Sequence, residues 1–254
     1  MKIAILAIGE SRQTAAPFGE RIYETIPCFI PRTDNDGINV GVISTDIASV
    51  DLALKKGVAP LPELFVQADR RMIVSADDAA SRYLDALGEA LTQAYKRYQV
   101  SAEQIPQILQ MNQAIARRCL RLNLTTVTFL AAGPSSESAL AERISKRPGF
   151  SVHAMERHAS MQLQNKLFEA AVDVAVNAGR RGLTREFRKM LNALVGKMAQ
   201  VVVIDGDVAG DVVPEINADN ELPVVLDAQD VYVQAISDWA LTYRASNTPP
   251  PLLF

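Results

Sequence analysis

Histidine and cysteine are the scarcest chemistry-bearing residues of this chain, two of each in 254 positions. His153 and His158 are too few for a His-rich metal site. Cys28 and Cys119 stand alone, without the spacing of a metal-ligand set. No metal and no cofactor are therefore expected, and two lone thiols fit a reduced, cytoplasmic setting. Long apolar runs are also missing. The opening Met1-Lys-Ile-Ala-Ile-Leu-Ala-Ile-Gly9 falls far short of the roughly 20 residues a membrane span needs. It lacks a small-residue cleavage site, so it reads as a first strand and not as a signal peptide. Positive charge is not in excess: 26 Lys and Arg face 29 Asp and Glu, a net charge of −3. That balance argues against nucleic acid as a partner. The clusters Arg117-Arg118 with Arg121, and Arg180-Arg181 with Arg185 and Arg188, fall at helical spacings and read as solvated helix faces. No low-complexity segment and no solenoid-length repeat is present.

What is present is apolar sequence in short, separated runs. With 48 % hydrophobic residues the chain can bury a sizeable core, as one large domain or two smaller lobes. The stretch Val201-Val-Val-Ile-Asp-Gly-Asp207 organises the reading. Its four β-branched residues predict a strand buried on both faces, which implies a parallel sheet covered by helices. The run ends in Asp205-Gly206-Asp207. Ligands of open α/β sheets bind just beyond the carboxyl ends of the strands, so this exit is a candidate site.

In chain order, strands are predicted over 2–8, 38–45, 71–75, 107–111, 125–132, 150–154, 201–204 and 222–226. Residues 12–37, with Pro17, Pro27 and Pro31, read as irregular. Helices are expected from 46 to Leu54, from Asp77 to Tyr98 on the apolar face Leu84, Leu87, Leu91 and Tyr95, and through Cys119. Further helices are expected from Gly133-Pro-Ser-Ser136 to Lys146, over much of 160–198, and from Val231 to Arg244. The last carries Val231, Ala235, Ile236, Trp239 and Tyr243 on one face, so it packs. His153 is assigned to a solvent or packing face, and Met155 and Met161 to the core. This alternation predicts an α/β fold with mostly parallel sheets flanked by helices, in two similar lobes.

The pieces Lys2-Ile-Ala-Ile-Leu-Ala-Ile-Gly9, Val201-Val-Val-Ile-Asp-Gly-Asp207 and Leu222-Pro-Val-Val-Leu226, with the closing helix, resemble the aspartate/glutamate racemase superfamily, and within it the AroM-like proteins. The resemblance implies two pseudo-symmetric lobes, the ligand in the cleft between them, and a last helix that returns to the first lobe. On that pattern residues 1–115 with 228–246 form the first lobe, 116–227 the second, and 247–254 a loosely ordered tail. The family's racemases use two cysteines, one per lobe, as acid and base on opposite faces of the substrate's α-carbon. The second matches Gly206 here. The Cys-Asn-Thr of the first lobe matches Met111-Asn112-Gln113. Neither position carries a thiol, and Cys28 and Cys119 fall elsewhere, so two-thiol racemisation is not expected.

Other groups remain. Asp207, Glu10 and Ser11 are the candidate acid/base residues, each at a strand exit. Asp205 and Asp207 can instead hold a cationic ligand group, cap a following helix or bond loop amides. Gly133, Ser135 and Ser136 between strand and helix form either an anion cradle or an ordinary serine N-cap. Asn112, Asp205 and Gly206 complete the candidate ligand contacts. The expected partner is a small carboxylate-bearing metabolite, with no nucleic acid and no membrane, and the expected assembly is a homodimer. Two function classes stay open: a cysteine-independent isomerase or lyase, and a non-catalytic binding or regulatory protein. A phosphate-containing ligand at Gly133–Ser136 is a third.

Overall fold

The computed structural model describes residues 2–8, 12–25, 39–45, 72–75, 84, 87–88, 91–93, 96–97, 99, 105–131, 139–153, 161–163, 165–166, 189, 191–192, 200–205 and 224–246. Its elements in order are β1 (Lys2–Ile8), α1 (Arg12–Thr25), β2 (Asn39–Thr45), β3 (Met72–Ser75), β4 (Gln107–Leu109), α2 (Met111–Arg121), β5 (Thr126–Ala131), α3 (Ala139–Ser145), β6 (Ser151–His153), β7 (Val201–Asp205), β8 (Val224–Asp227) and α4 (Ala228–Ser246). Residues 84, 87–88, 91–93 and 96–97 are helical too. Of the predicted face there, Leu84, Leu87 and Leu91 are buried, while Tyr95 lies outside the described residues.

The strands form two parallel four-stranded sheets, ordered β2-β1-β3-β4 and β6-β5-β7-β8. Sequence accounts for who sits inside. The interior strands are continuous apolar runs: Ile3 to Ala7 of β1, Met72 to Val74 of β3 and Val201 to Ile204 of β7 are all buried. Edge strand β6 shows the opposite, with Ser151 and His153 exposed. At the other sheet's edge the Tyr23 hydroxyl accepts the Val40 N–H at 2.8 Å, covering one open amide of β2.

Helix α1 corrects the reading of residues 12–37 as irregular, since 12–25 is helical with Pro17 inside it. A proline in a helix interior costs about 3 kcal/mol. Against that, α1 buries Ala15, Phe18 and Ile22 at spacings of three and four. Two large buried side chains contribute roughly 3–6 kcal/mol, so tertiary burial wins. The helix lies close on the sheet: a Cβ on Gly19 would stand 3.3 Å from Ile5 Cδ1.

Two more expectations change. Met161, assigned to the core, is 52 % exposed. Helix α4 starts at Ala228, before the expected Val231, and its buried face is Tyr232, Val233, Ile236, Trp239 and Ala240. Val231, Ala235 and Tyr243 are half-buried. His153 is exposed, as its assignment to a solvent or packing face allows.

The chain divides into two compact units, Met1–Gln113 with Val233–Phe254 and Ala114–Tyr232. Within the first, Trp239 donates its indole N–H to the Gln107 side-chain carbonyl, and Ser237 donates to the Thr25 carbonyl. These bonds tie α4 to β4 and to the end of α1. Among the described residues, no helix is long and apolar enough to cross a membrane.

Candidate ligand-binding site

Because every ladder is parallel, each sheet has a single carboxyl edge. Each sheet also reverses its winding once: the second strand lies to one side of the first, the third and fourth to the other. The reversal falls between β1 and β3 in one sheet and between β5 and β7 in the other. Loops leaving such a switch point part in opposite directions and open a crevice at the carboxyl edge.

In the first unit, Ser75 ends β3 in register with Leu6, and it is fully buried. Val74 pairs with Leu109, so Gln110 is the next residue alongside Ser75. Gln110 is buried and caps α2. Its N–H donates to Gln113 Oε1 at 3.2 Å, and the Gln113 N–H donates to the Gln110 carbonyl at 3.1 Å. This is the returning half of a capping box. The exchange occupies the amides of Gln110 and Gln113. Those of Met111 and Asn112 have no carbonyl one helical turn back to bond.

Asn112 is the second residue of α2 and only 8 % exposed. Its Oδ1 is buried with no hydrogen-bond partner. Leaving such an acceptor unpaired costs about 1–3 kcal/mol, and in a native protein it calls for a water, ion or ligand donor. The first turn of α2 carries no acidic residue, and Arg118 and Arg121 lie in its last turn. The expected strand over 107–111 is thus shorter: it ends at Leu109, and Met111, Asn112 and Gln113 form the first turn of a helix. The reason is local, because the Gln113 side chain folds back to cap the amide at 110.

The second unit repeats the plan. Asp205 closes β7 opposite Ala131. Asp227 closes β8 beside Ile204 and is 3 % exposed. Asp227 Oδ1 accepts the N–H of Gln229 at 2.8 Å and of Asp230 at 3.2 Å, capping α4. Sequence reading passed over Asp227, although an Asp at the end of an apolar run is an N-cap signal. It also passed over Ser75, because strand order decides which exits face a crevice.

Of the predicted site residues, Asn112 stands at a carboxyl edge with its amide buried. Asp205 is placed by backbone only. Glu10, Ser11, Gly133, Ser135, Ser136, Gly206 and Asp207 lie outside the described residues. The shared strand order makes β3 the counterpart of β7, and because Gln110 lies alongside Ser75 as Asp227 lies beside Ile204, Ser75 takes the place of Ile204 in the second sheet. The match of the first-lobe Cys-Asn-Thr to Met111-Asn112-Gln113 falls on the first turn of α2.

Cys119 is buried on the inner face of α2, and burial pushes its thiol up to about 11 from an ordinary 9.0, against the smaller opposing pull of Arg118. At neutral pH it is a packed thiol and not a nucleophile.

No protein-family model matches the chain, and no curated protein matches it. Solved structures do. A proposed Asp/Glu racemase from Yersinia pestis aligns with a TM-score of 0.60 at 15 % identity, over 95 % of this chain and 100 % of that one. Arylmalonate decarboxylase aligns with a TM-score of 0.54 at 13 % identity, over 96 % and 92 %. Glutamate racemase from Francisella tularensis subsp. tularensis SCHU S4, in complex with D-glutamate, aligns with a TM-score of 0.51 at 14 % identity, over 98 % and 84 %. The chain shares the α/β fold of these racemases and this decarboxylase.

Proposed function

We propose that this protein binds a small carboxylate-bearing metabolite at the carboxyl edge of its first sheet, as a divergent member of the racemase superfamily that does not use two thiols. The observation that carries the reading is the buried, unpartnered Asn112 Oδ1 at the start of α2. A hydroxyl or ammonium donor of a ligand satisfies it, while the helix dipole and the first-turn amides favour an anion beside it. Two facts support a chemistry without thiols: the sequence has only two cysteines, and Cys119 is buried with a raised pKa. The glutamate racemase neighbour binds D-glutamate, which fits this ligand class.

If the protein is catalytic, the acid/base roles fall to Asp207, Glu10 or Ser11, in an isomerase or lyase reaction. The described polar groups at this edge, Ser75, Gln110 and Asn112, are neutral hydroxyl and amides. That favours binding over proton transfer at this edge, so a non-catalytic metabolite-binding protein is the second reading. The test is isothermal titration of the protein with D-glutamate, malate and succinate, then incubation of each binder with a chiral and mass readout. Binding with turnover selects the enzyme, and binding without turnover the sensor. No binding by any of them rejects the proposal.

A further inference from the structure

Strand β2 ends the first sheet, and among the described residues it pairs with β1 on one side only. Its sequence, Asn39-Val-Gly-Val-Ile-Ser-Thr45, has no charged residue and no proline, and its ladder to β1 runs seven residues without a bulge. Charge, proline and bulges are the devices that ordinarily keep an edge strand from pairing with another chain. The backbone groups of successive strand residues point to alternate sides. Because the Val40 N–H meets the Tyr23 hydroxyl and not β1, Val40, Val42 and Ser44 direct theirs outward. Val42 is 47 % exposed. Helix α1 brings Tyr23 to this edge. A Cβ on Gly19, one turn earlier, would stand 4.0 Å from Val40 Cγ1, and Ile22 beside Tyr23 is fully buried.

We infer that Tyr23 is a latch on this edge, its hydroxyl holding the Val40 N–H so that a second copy of the chain cannot add its own β2. The strand is self-complementary. In an antiparallel pair centred on Val42, the outward groups of the strand meet those of its copy, Val42 opposite Val42 and Val40 opposite Ser44, and no like charges are brought together. Opposite residues of a hydrogen-bonded pair exchange both bonds, so the Val40 N–H would donate to the second copy's Ser44 carbonyl. The Tyr23 oxygen stands in the place of that carbonyl, 2.8 Å from the Val40 nitrogen. Tyr23 is itself 43 % exposed, so the bond satisfies no buried group, and without it the Val40 N–H would bond water. The hydroxyl therefore guards the edge and adds little to the stability of the fold.

The test is Tyr23→Phe, which keeps the ring and removes the acceptor, made together with Val42→Cys in a Cys28→Ala background so that a short bismaleimide reports strands paired at Val42. Opposite Cα atoms of such a pair lie about 5.5 Å apart, within its reach. The chain with Tyr23 intact is the reference. Expected for Tyr23→Phe are an unchanged melting temperature, at least tenfold faster hydrogen exchange at Val40 in dilute solution, a larger species in sedimentation velocity that grows with concentration beyond whatever the reference forms, and a cross-linked dimer that the reference does not give. Replacing Val42 by Lys in the Tyr23→Phe chain sets like charges opposite each other and is expected to remove the larger species. A Tyr23→Phe chain that neither associates further nor cross-links overturns the latch, as does equal cross-linking in the reference. Association that survives Val42→Lys overturns the pairing, since another surface then joins the copies. A large loss of stability in Tyr23→Phe overturns the assignment of the bond to the edge.

Discussion

The indole N–H of Trp239 donates to the side-chain carbonyl of Gln107, a bond between residues 132 apart in sequence that joins the last helix to the edge strand leading to Asn112. Tyr243 stacks on the same indole, ring centroids 5.2 Å apart. Trp239→Ala is expected to cost about 3–5 kcal/mol in urea unfolding, from lost packing as well as the bond. Gln107→Leu leaves the indole N–H unsatisfied and should cost about 1–3 kcal/mol. A cost near zero for both would mean α4 does not anchor there.

Asn123 sits at a φ of 56° just past α2. The Leu124 N–H reaches the Cys119 carbonyl at 2.9 Å and the Asn123 N–H reaches the Leu120 carbonyl at 3.0 Å, the two bonds of a Schellman cap. Glycine adopts this backbone without a Cβ penalty, so Asn123→Gly is expected to be neutral or to stabilise by a few tenths of a kcal/mol. Asn123→Val should destabilise by about 1–2 kcal/mol, because a β-branched residue resists the left-handed region. Thermal unfolding of the pair decides it, and the reverse order would contradict the cap.

Cys119 makes stability depend on alkaline pH. Its folded-state pKa, about 11, lies above the ordinary 9.0. The contribution is therefore fully present below pH 9 and is lost as pH rises through 11, because the unfolded chain releases its proton first. The span is roughly 2–3 kcal/mol. Subtracting the pH profile of Cys119→Ala from that of the parent should leave this fall between pH 9 and 11. In a Cys28→Ala background, a thiol reagent should react with Cys119 only on unfolding. Rapid reaction of the native protein would contradict the assigned burial.

Asp227→Ala removes the acceptor of two α4 amides and is expected to cost about 0.5–2 kcal/mol. Asp227→Asn, which keeps the acceptor, should recover most of it. Equal losses in the two variants would show that the charge, and not the cap geometry, matters.

The interior strands were legible because strands buried on both faces must be continuously apolar, as in Ile3–Ala7 and Val201–Ile204. Helix α1 was hidden by Pro17, whose local cost is visible in sequence while the burial of Phe18 and Ile22 that offsets it is not. The site was half legible. Asn112 stood out as a polar residue after an apolar run. That it begins a helix depends on a side-chain cap, and that Ser75 lies alongside Gln110 depends on strand pairing. Both are tertiary facts with no period in the sequence to betray them.

The central claim is a carboxylate ligand held at Asn112, and the most direct measurement is titration calorimetry of the parent and Asn112→Ala with D-glutamate, malate and succinate. Loss of one charge-linked hydrogen bond is worth about 1.5–3 kcal/mol. The account predicts that at least one carboxylate binds the parent and binds Asn112→Ala ten- to hundredfold more weakly, with the donor-bearing glutamate or malate preferred over succinate. An Asn112→Ala variant that folds and binds as tightly as the parent would contradict it.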